Sequence, residues 1–123
     1  MKPLIYLAGP IDGGGTRAAN LVLALDYAEY ILEIGGIPYS PQLNGIFWNA
    51  FSPKPRDVWL QMDFDMILHC DALVRMPGES EGADRELNFA IYNGIQCFNS
   101  SIERYRMALV NWIKEYNESH AKS

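Results

Sequence analysis

The sequence predicts an α/β protein: a three-layer, Rossmann-like parallel sheet of four or five strands with helices on both faces. Three observations predict it. Apolar runs of strand length, Leu4–Ala8 and Ala72–Val74, each end in a glycine–proline or proline–glycine turn and lead on to a run with helical spacing. Strand and helix patterns alternate along the chain without an internal repeat or a low-complexity segment. The residues suited to chemistry lie just beyond those strands, where an open α/β sheet binds its ligands. A flavodoxin-like strand order is expected.

Leu4–Ala8, closed by Gly9-Pro10, suits a central strand. The loop Ile11-Asp-Gly-Gly-Gly-Thr16 leads into a helix from Arg17 to Ile34, with Leu21, Leu25, Ala28 and Leu32 expected on its inner face and Gly35-Gly36 closing it. Ile37-Pro-Tyr39 has room only for a short strand, and its proline points to an edge or a strand start. From Ser40 to Arg56, Pro41, Gly45, Pro53 and Pro55 with Phe47, Trp48 and Phe51 read as a long loop, of the kind that commonly forms a lid or a binding wall. Its aromatics serve either to stack on a flat ring or to cover a sheet edge or subunit contact.

Asp57 is the expected N-cap of a helix running to about His69, with Val58, Met62, Met66 and Ile67 inward and Asp63 and Asp65 on different faces. After the buried strand at Ala72–Val74, a turn at Pro77-Gly78 opens an amphipathic helix from Ser80, apolar through Ala83, Leu87, Ala90 and Ile91. Gly94–Phe98 supplies a turn and a last short strand. A final helix from Ile102 to about Tyr116 buries Tyr105, Leu109, Trp112 and Ile113, and the tail after Asn117 is expected to fray.

The 123 residues make one domain, 1–123, able to bury roughly two thirds of its unfolded surface. A net charge of −5 argues against neutralising a polymeric nucleic acid backbone. Ala18–Ile34 is interrupted by Asn20, Asp26, Glu29 and Glu33, so no membrane span is expected, and the opening residues do not read as a signal peptide; the cytoplasm is the default location. Cys70 and Cys97 lie in or beside apolar runs and read as buried free thiols. No cofactor is called for, and His69 and His120 make no metal-ligand set.

Three features converge at the expected sheet edge. The loop Gly9–Gly15 offers unhindered amides that can cradle an anion or form a plain turn, and it matches neither of the common phosphate-loop patterns. Glu86 lies in the first turns of the helix that follows Ser80-Glu-Gly-Ala83, and Asp63 lies one helix earlier. Two carboxyls in an apolar cleft can hold different protonation states, the division of labour that glycosidic cleavage needs. Each alone is also what a solvated helix carboxylate looks like.

Tyr6-Leu-Ala-Gly-Pro-Ile-Asp-Gly13, the Asp63-to-Asp71 spacing in DFDMILHCD and SEGADRELNFA from Ser80 to Ala90 together resemble the nucleoside 2-deoxyribosyltransferase superfamily, which includes deoxynucleoside 5'-monophosphate N-glycosidases. The resemblance covers roughly residues 4 to 98. It implies that Glu86 is a nucleophile toward the anomeric carbon, and that Asp63 serves the leaving base. It places Tyr6, Gly9, Pro10, Ile11, Asp12 and Gly13 along the sugar and its 5' substituent. It also implies a homodimer or higher homo-oligomer, with Asn99, Ser100 or Ser101 as residues a neighbouring subunit could contribute.

Transferases of this group that act on free nucleosides usually carry an aspartate where Ser80 stands. A carboxylate there would repel a 5'-phosphate, whereas a serine hydroxyl with the amides of Gly82 and Ala83 would receive one. The expected ligand is therefore a nucleoside 5'-monophosphate, with hydrolysis favoured over base transfer. Ser80 as a plain helix cap is the alternative. Tyr39, Gln42, Phe47 and Trp48 are candidates for the base pocket. A non-catalytic nucleotide-binding protein on the same fold stays open, while an electron carrier is disfavoured for want of a Ser/Thr-rich phosphate loop.

Overall fold

The computed structural model describes residues 1–13 and 15–121. Its elements run β1 (Leu4–Ala8), α1 (Arg17–Glu33), β2 (Ile37–Tyr39), α2 (Pro41–Phe51), α3 (Arg56–Ile67), β3 (Ala72–Arg75), α4 (Glu81–Tyr92), β4 (Gln96–Asn99) and α5 (Tyr105–His120). The four strands form one parallel sheet in the order β2-β1-β3-β4. The flavodoxin-like order expected from the sequence is the one observed.

Side chains that alternate along β1 divide the core between two faces, as the period of two requires. Ile5 and Leu7 pack with Ala24 and Ile31 of α1 and Leu109 and Ile113 of α5. Tyr6 and Ala8 turn the other way, toward Ile67 of α3 and Ala83 and Ala90 of α4. The result is three layers, with α1 and α5 on one face and α3 and α4 on the other. Ile5 pairs with Ala72 and Ala8 with Arg75, so β1 and β3 end level. Because the chain leaves β1 for β2 on one side and reaches β3 on the other, the switch point of the topology lies at that shared end.

Several local expectations are overturned. Residues 41–51 form a helix, not a loop: Ser40 is its N-cap, accepting from Leu43 N, and Pro41 fills the first turn, where a missing N–H costs nothing. On α1, Leu25 and Leu32 are exposed, and the inner face is carried by Ala24 and Ile31 with Tyr27 and Ala28 beside them. On α3, Val58 and Met62 are exposed, and the N-cap is Pro55, which leaves Asp57 in the first turn. Ile91 of α4 is exposed. The segment after Asn117 stays helical to His120.

Cys70 is buried, Cys97 is half-buried, and both are free thiols. Among the described residues, no helix is long and apolar enough to cross a membrane.

Candidate active site

The two loops that leave β1 and β3 are fitted against each other by small residues. A Cβ on Gly13 would lie 2.6 Å from the carbonyl oxygen of Glu79, and one on Gly78, whose φ is +109°, would lie 2.9 Å from the Pro10 ring. The Asn20 side chain donates to the carbonyls of Ile11 and Gly13, which pins the loop from the α1 side. On the other loop, the buried Arg75 guanidinium donates to the carbonyls of Met76 and Gly78 and to Asp84 Oδ1. Gln42 spends both amide atoms in the scaffold, accepting from Ser40 Oγ and donating to Gly9 O at 2.8 Å.

Above this joint lies a cleft of about 710 Å³, within the range typical of small-molecule sites. Gly9, Ile11, Asp12, Gly13, Asp63, Ser80, Gly82, Ala83 and Glu86 all line it, so most of the residues singled out in the sequence meet in one place. Two of them do not open on it. Tyr6 is fully buried beneath, donating its hydroxyl to Glu86 Oε2. Pro10 is buried against Gly78. Asp12 lines the cleft as half of an exposed, bidentate ion pair with Arg17, at 2.7 and 2.8 Å.

Glu86 comes from the second turn of α4, which its Ser80 cap starts: Ser80 Oγ accepts from Ala83 N at 3.0 Å. Glu86 is 5% exposed. Desolvation by burial, and then the Asp63 charge beside it, push its carboxyl up to about 9, while the Tyr6 hydrogen bond pulls the other way. Asp63 reaches the same point from α3, is hydrogen-bonded to Glu86, and is raised by burial to about 6. Tyr6 is held protonated by burial and by the two carboxyls next to it. Near neutrality the pair therefore carries one proton between its two members, the arrangement of two like charges that cannot both ionise.

Phe64 and Phe89 hold α3 to α4, with rings stacked at 4.5 Å. Asp71, whose spacing from Asp63 carries part of the resemblance, lies at the amino ends of the central strands β1 and β3, away from the cleft, and accepts from Leu4 N at 2.7 Å. It is a structural residue. Of the candidate base-pocket residues, Gln42 lines the cleft, whereas Tyr39 packs against Tyr6 and Trp48 sets its ring edge-on to Trp59 outside it. The Phe47 side chain lies outside the described residues. Asn99 turns its Oδ1 to Ser101 N and Oγ in a local turn.

The far wall of the cleft falls in the stretch expected to be a lid or binding wall, residues 40–56, and continues into α3, but the residues that build it were not singled out. Gly45, Ile46, Asn49 and Ala50 of α2, Lys54 in the turn, and Arg56, Trp59 and Leu60 of α3 complete it. The Ser-Pro start of α2 was the available signal, since serine followed by proline is also a cap with its first helical residue. No protein-family model matches this chain, and no curated protein matches it.

Proposed function

We propose that the protein cleaves the N-glycosidic bond of a nucleoside or deoxynucleoside 5'-monophosphate through a covalent intermediate on Glu86, as the resemblance to the nucleoside 2-deoxyribosyltransferase superfamily implies. The observation that carries this reading is the buried, hydrogen-bonded pair Glu86–Asp63 opening on a cleft of nucleotide size. Retaining glycosidases set their carboxyls about 5–5.5 Å apart, inverting ones about 6.5–9.5 Å apart with a water between. Asp63 and Glu86 adjoin closely enough to share a proton, which favours the closely spaced, direct-attack arrangement over the water-spaced one.

In the first step the shared proton passes to Asp63 and Glu86 becomes the carboxylate. Its oxygen bonds to the anomeric carbon, the carbon–nitrogen bond breaks, and the departing base takes the electron pair and the Asp63 proton. In the second step Asp63, now a carboxylate, takes a proton from water as the water oxygen attacks the same carbon. The sugar phosphate leaves and Glu86 is freed. Tyr6 donates to Glu86 throughout and keeps one oxygen oriented. The 5'-phosphate lies at the start of α4, against the Ser80 hydroxyl and the first amides of the helix.

Two other readings stay open. Transfer of the sugar to a second base shares the first step and differs only in what resolves the ester. In a non-catalytic nucleotide-binding protein, Glu86 would only orient the sugar.

The test is chromatographic detection of free base from a panel of nucleosides and 5'-monophosphates, with Glu86→Ala beside the wild type. Monophosphates should release base with the wild type alone. Equal release by both proteins, or none by either, overturns the catalytic reading.

A further inference from the structure

Away from Asp63, the wall of the cleft built by α2 and α3 carries the side-chain donors Asn49, Lys54 and Arg56. Asn49 Oδ1 accepts from Lys54 N at 3.0 Å and from Trp59 Nε1 at 2.9 Å, so the carbonyl end of that side chain is committed to the turn and its NH2 is the end left for a ligand. Lys54 Nζ donates to a neutral hydroxyl, Ser52 Oγ, at 2.8 Å. Among the described residues the ion pairs use Arg17, Arg75 and Arg85, so Lys54 and Arg56 bring uncompensated charge to the cleft. In a protein of net charge −5, two cations and an amide on one wall are a local inversion of sign.

Their place along α3 says what they face. Arg56, Trp59, Leu60 and Asp63 share one side of the helix, at the spacing that stacks side chains in line. Arg56 is two turns from Asp63, about 10 Å along the axis at about 1.5 Å per residue. The half-buried Trp59 and Leu60 lie between them and offer an apolar surface to a flat ring. On the reading proposed above, Asp63 protonates the base at its glycosidic nitrogen, so Arg56 and Lys54 address the far side of that base. The cleft carboxylates other than the catalytic pair, Asp12, Glu79 and Glu81, sit with the two loops at the other wall.

We infer that this wall is a specificity surface for an acidic substituent on the leaving base: the favoured ligand is a nucleoside 5'-monophosphate whose nucleobase carries a carboxylate remote from the glycosidic nitrogen. The guanidinium of Arg56 offers a planar fork suited to a carboxylate, and Lys54 with the Asn49 amide adds donors beside it. The inference rests on the glycosidase reading for the orientation of the ligand, and its test separates the two.

Calorimetric titration is made on Glu86→Gln, which cannot consume the ligand, with 5-carboxy-2'-deoxyuridine 5'-monophosphate and with its 5-carboxamide, which differs in charge at the same shape. The acid should bind about tenfold or more tightly than the amide. Adding Arg56→Ala and Lys54→Ala should bring the two affinities within about twofold of each other. Arg56 is exposed and Lys54 half-buried, and a melting curve unchanged from the parent verifies the fold. Equal affinities in the parent, or a preference that survives both substitutions, overturns the inference. Base release by the wild type is read separately: no release with the preference intact removes the glycosidase and leaves the acidic-ligand site, and release without a preference does the reverse.

Discussion

The Tyr6 hydroxyl and the Glu86 carboxyl, 80 residues apart in the chain, meet by a hydrogen bond beneath the floor of the cleft. The contact exists because the alternation of β1 sends Tyr6 toward α3 and α4 while its neighbours Ile5 and Leu7 go to the opposite face. Tyr6→Phe keeps the ring and removes the donor. The Tyr6 bond lowers the Glu86 pKa, so without it the carboxylate becomes scarcer at neutral pH. A hydrogen bond to a charged group contributes about 1.5–3 kcal/mol, so kcat for base release should fall about 10- to 100-fold. An unchanged rate would show that Tyr6 only fills space.

The pH dependence of base release should be bell-shaped. Below the acid limb, near the value of about 6 at Asp63, both carboxyls are protonated and no nucleophile exists. Above the alkaline limb, near the value of about 9 at Glu86, both are ionised and no acid remains for the leaving base. These limbs belong to the pair. A profile of kcat/KM against pH that rises monotonically would contradict the shared proton.

Glu86 also makes the fold sensitive to pH. Its folded pKa, about 9, lies above its usual 4.5, so between those values the folded state keeps a proton that the unfolded state releases. By linkage, stability falls as pH rises through that window and levels off above it. Glu86→Gln escapes the penalty: the amide oxygen can accept from Tyr6 and the NH2 can donate to Asp63. The variant should melt higher than the wild type at pH 8, by about 1–2 kcal/mol, and no higher near pH 4. Thermal melts across pH would detect the difference, and a gap independent of pH would refute its electrostatic origin.

The sheet was legible because its strands are short apolar runs with turn chemistry at their ends, and because the carboxyls follow those ends in a fixed order. Helix faces were less legible. On α1, residues 21–25 are all apolar, so helical periodicity alone selects no single face, and packing by Ala24 and Ile31 decides which side is inward. Residues 41–51 carry proline, glycine and aromatics, a loop composition, yet the Ser40 cap and the packing of α2 on α1 and of Gly45 on the Trp59 ring make them a helix. The stretch was therefore legible as a binding wall but not as a helix, and which of its side chains face the cleft, Lys54 and Arg56 among them, was not. The Asp63–Glu86 pair was visible as two helices sharing a sheet edge, but its hydrogen bond to Tyr6 depends on the register of β1.

Two glycines of the loop after β1 should respond oppositely to alanine. At Gly13 the new Cβ would sit 2.6 Å from a backbone oxygen of Glu79, which cannot swing aside. Gly13→Ala should cost about 1–3 kcal/mol and part the two loops that floor the cleft, lowering nucleotide affinity as well. At Gly15 a Cβ meets nothing within 4 Å, and Gly15→Ala should leave stability unchanged or raise it by up to about 1 kcal/mol. Chemical denaturation of the two variants decides this, and equal losses at both positions would mean that the loop junction is not what fixes the cleft.

Ser80→Asp separates capping from phosphate binding. The serine oxygen accepts from Ala83 N, and aspartate caps a helix as well as serine does, so the fold should keep its stability to within about 0.5 kcal/mol. The added charge would stand next to a bound 5'-phosphate. Two like charges about 4 Å apart repel by roughly 4 kcal/mol at a surface dielectric of about 20, enough to weaken a monophosphate at least tenfold after screening. A free nucleoside lacks the phosphate, and its 5'-hydroxyl can donate to the new carboxylate. Monophosphate use should therefore fall while nucleoside use holds or rises, and the ratio of the two kcat/KM values reports the switch. If both fall together, Ser80 serves the helix alone and the phosphate lies elsewhere in the cleft.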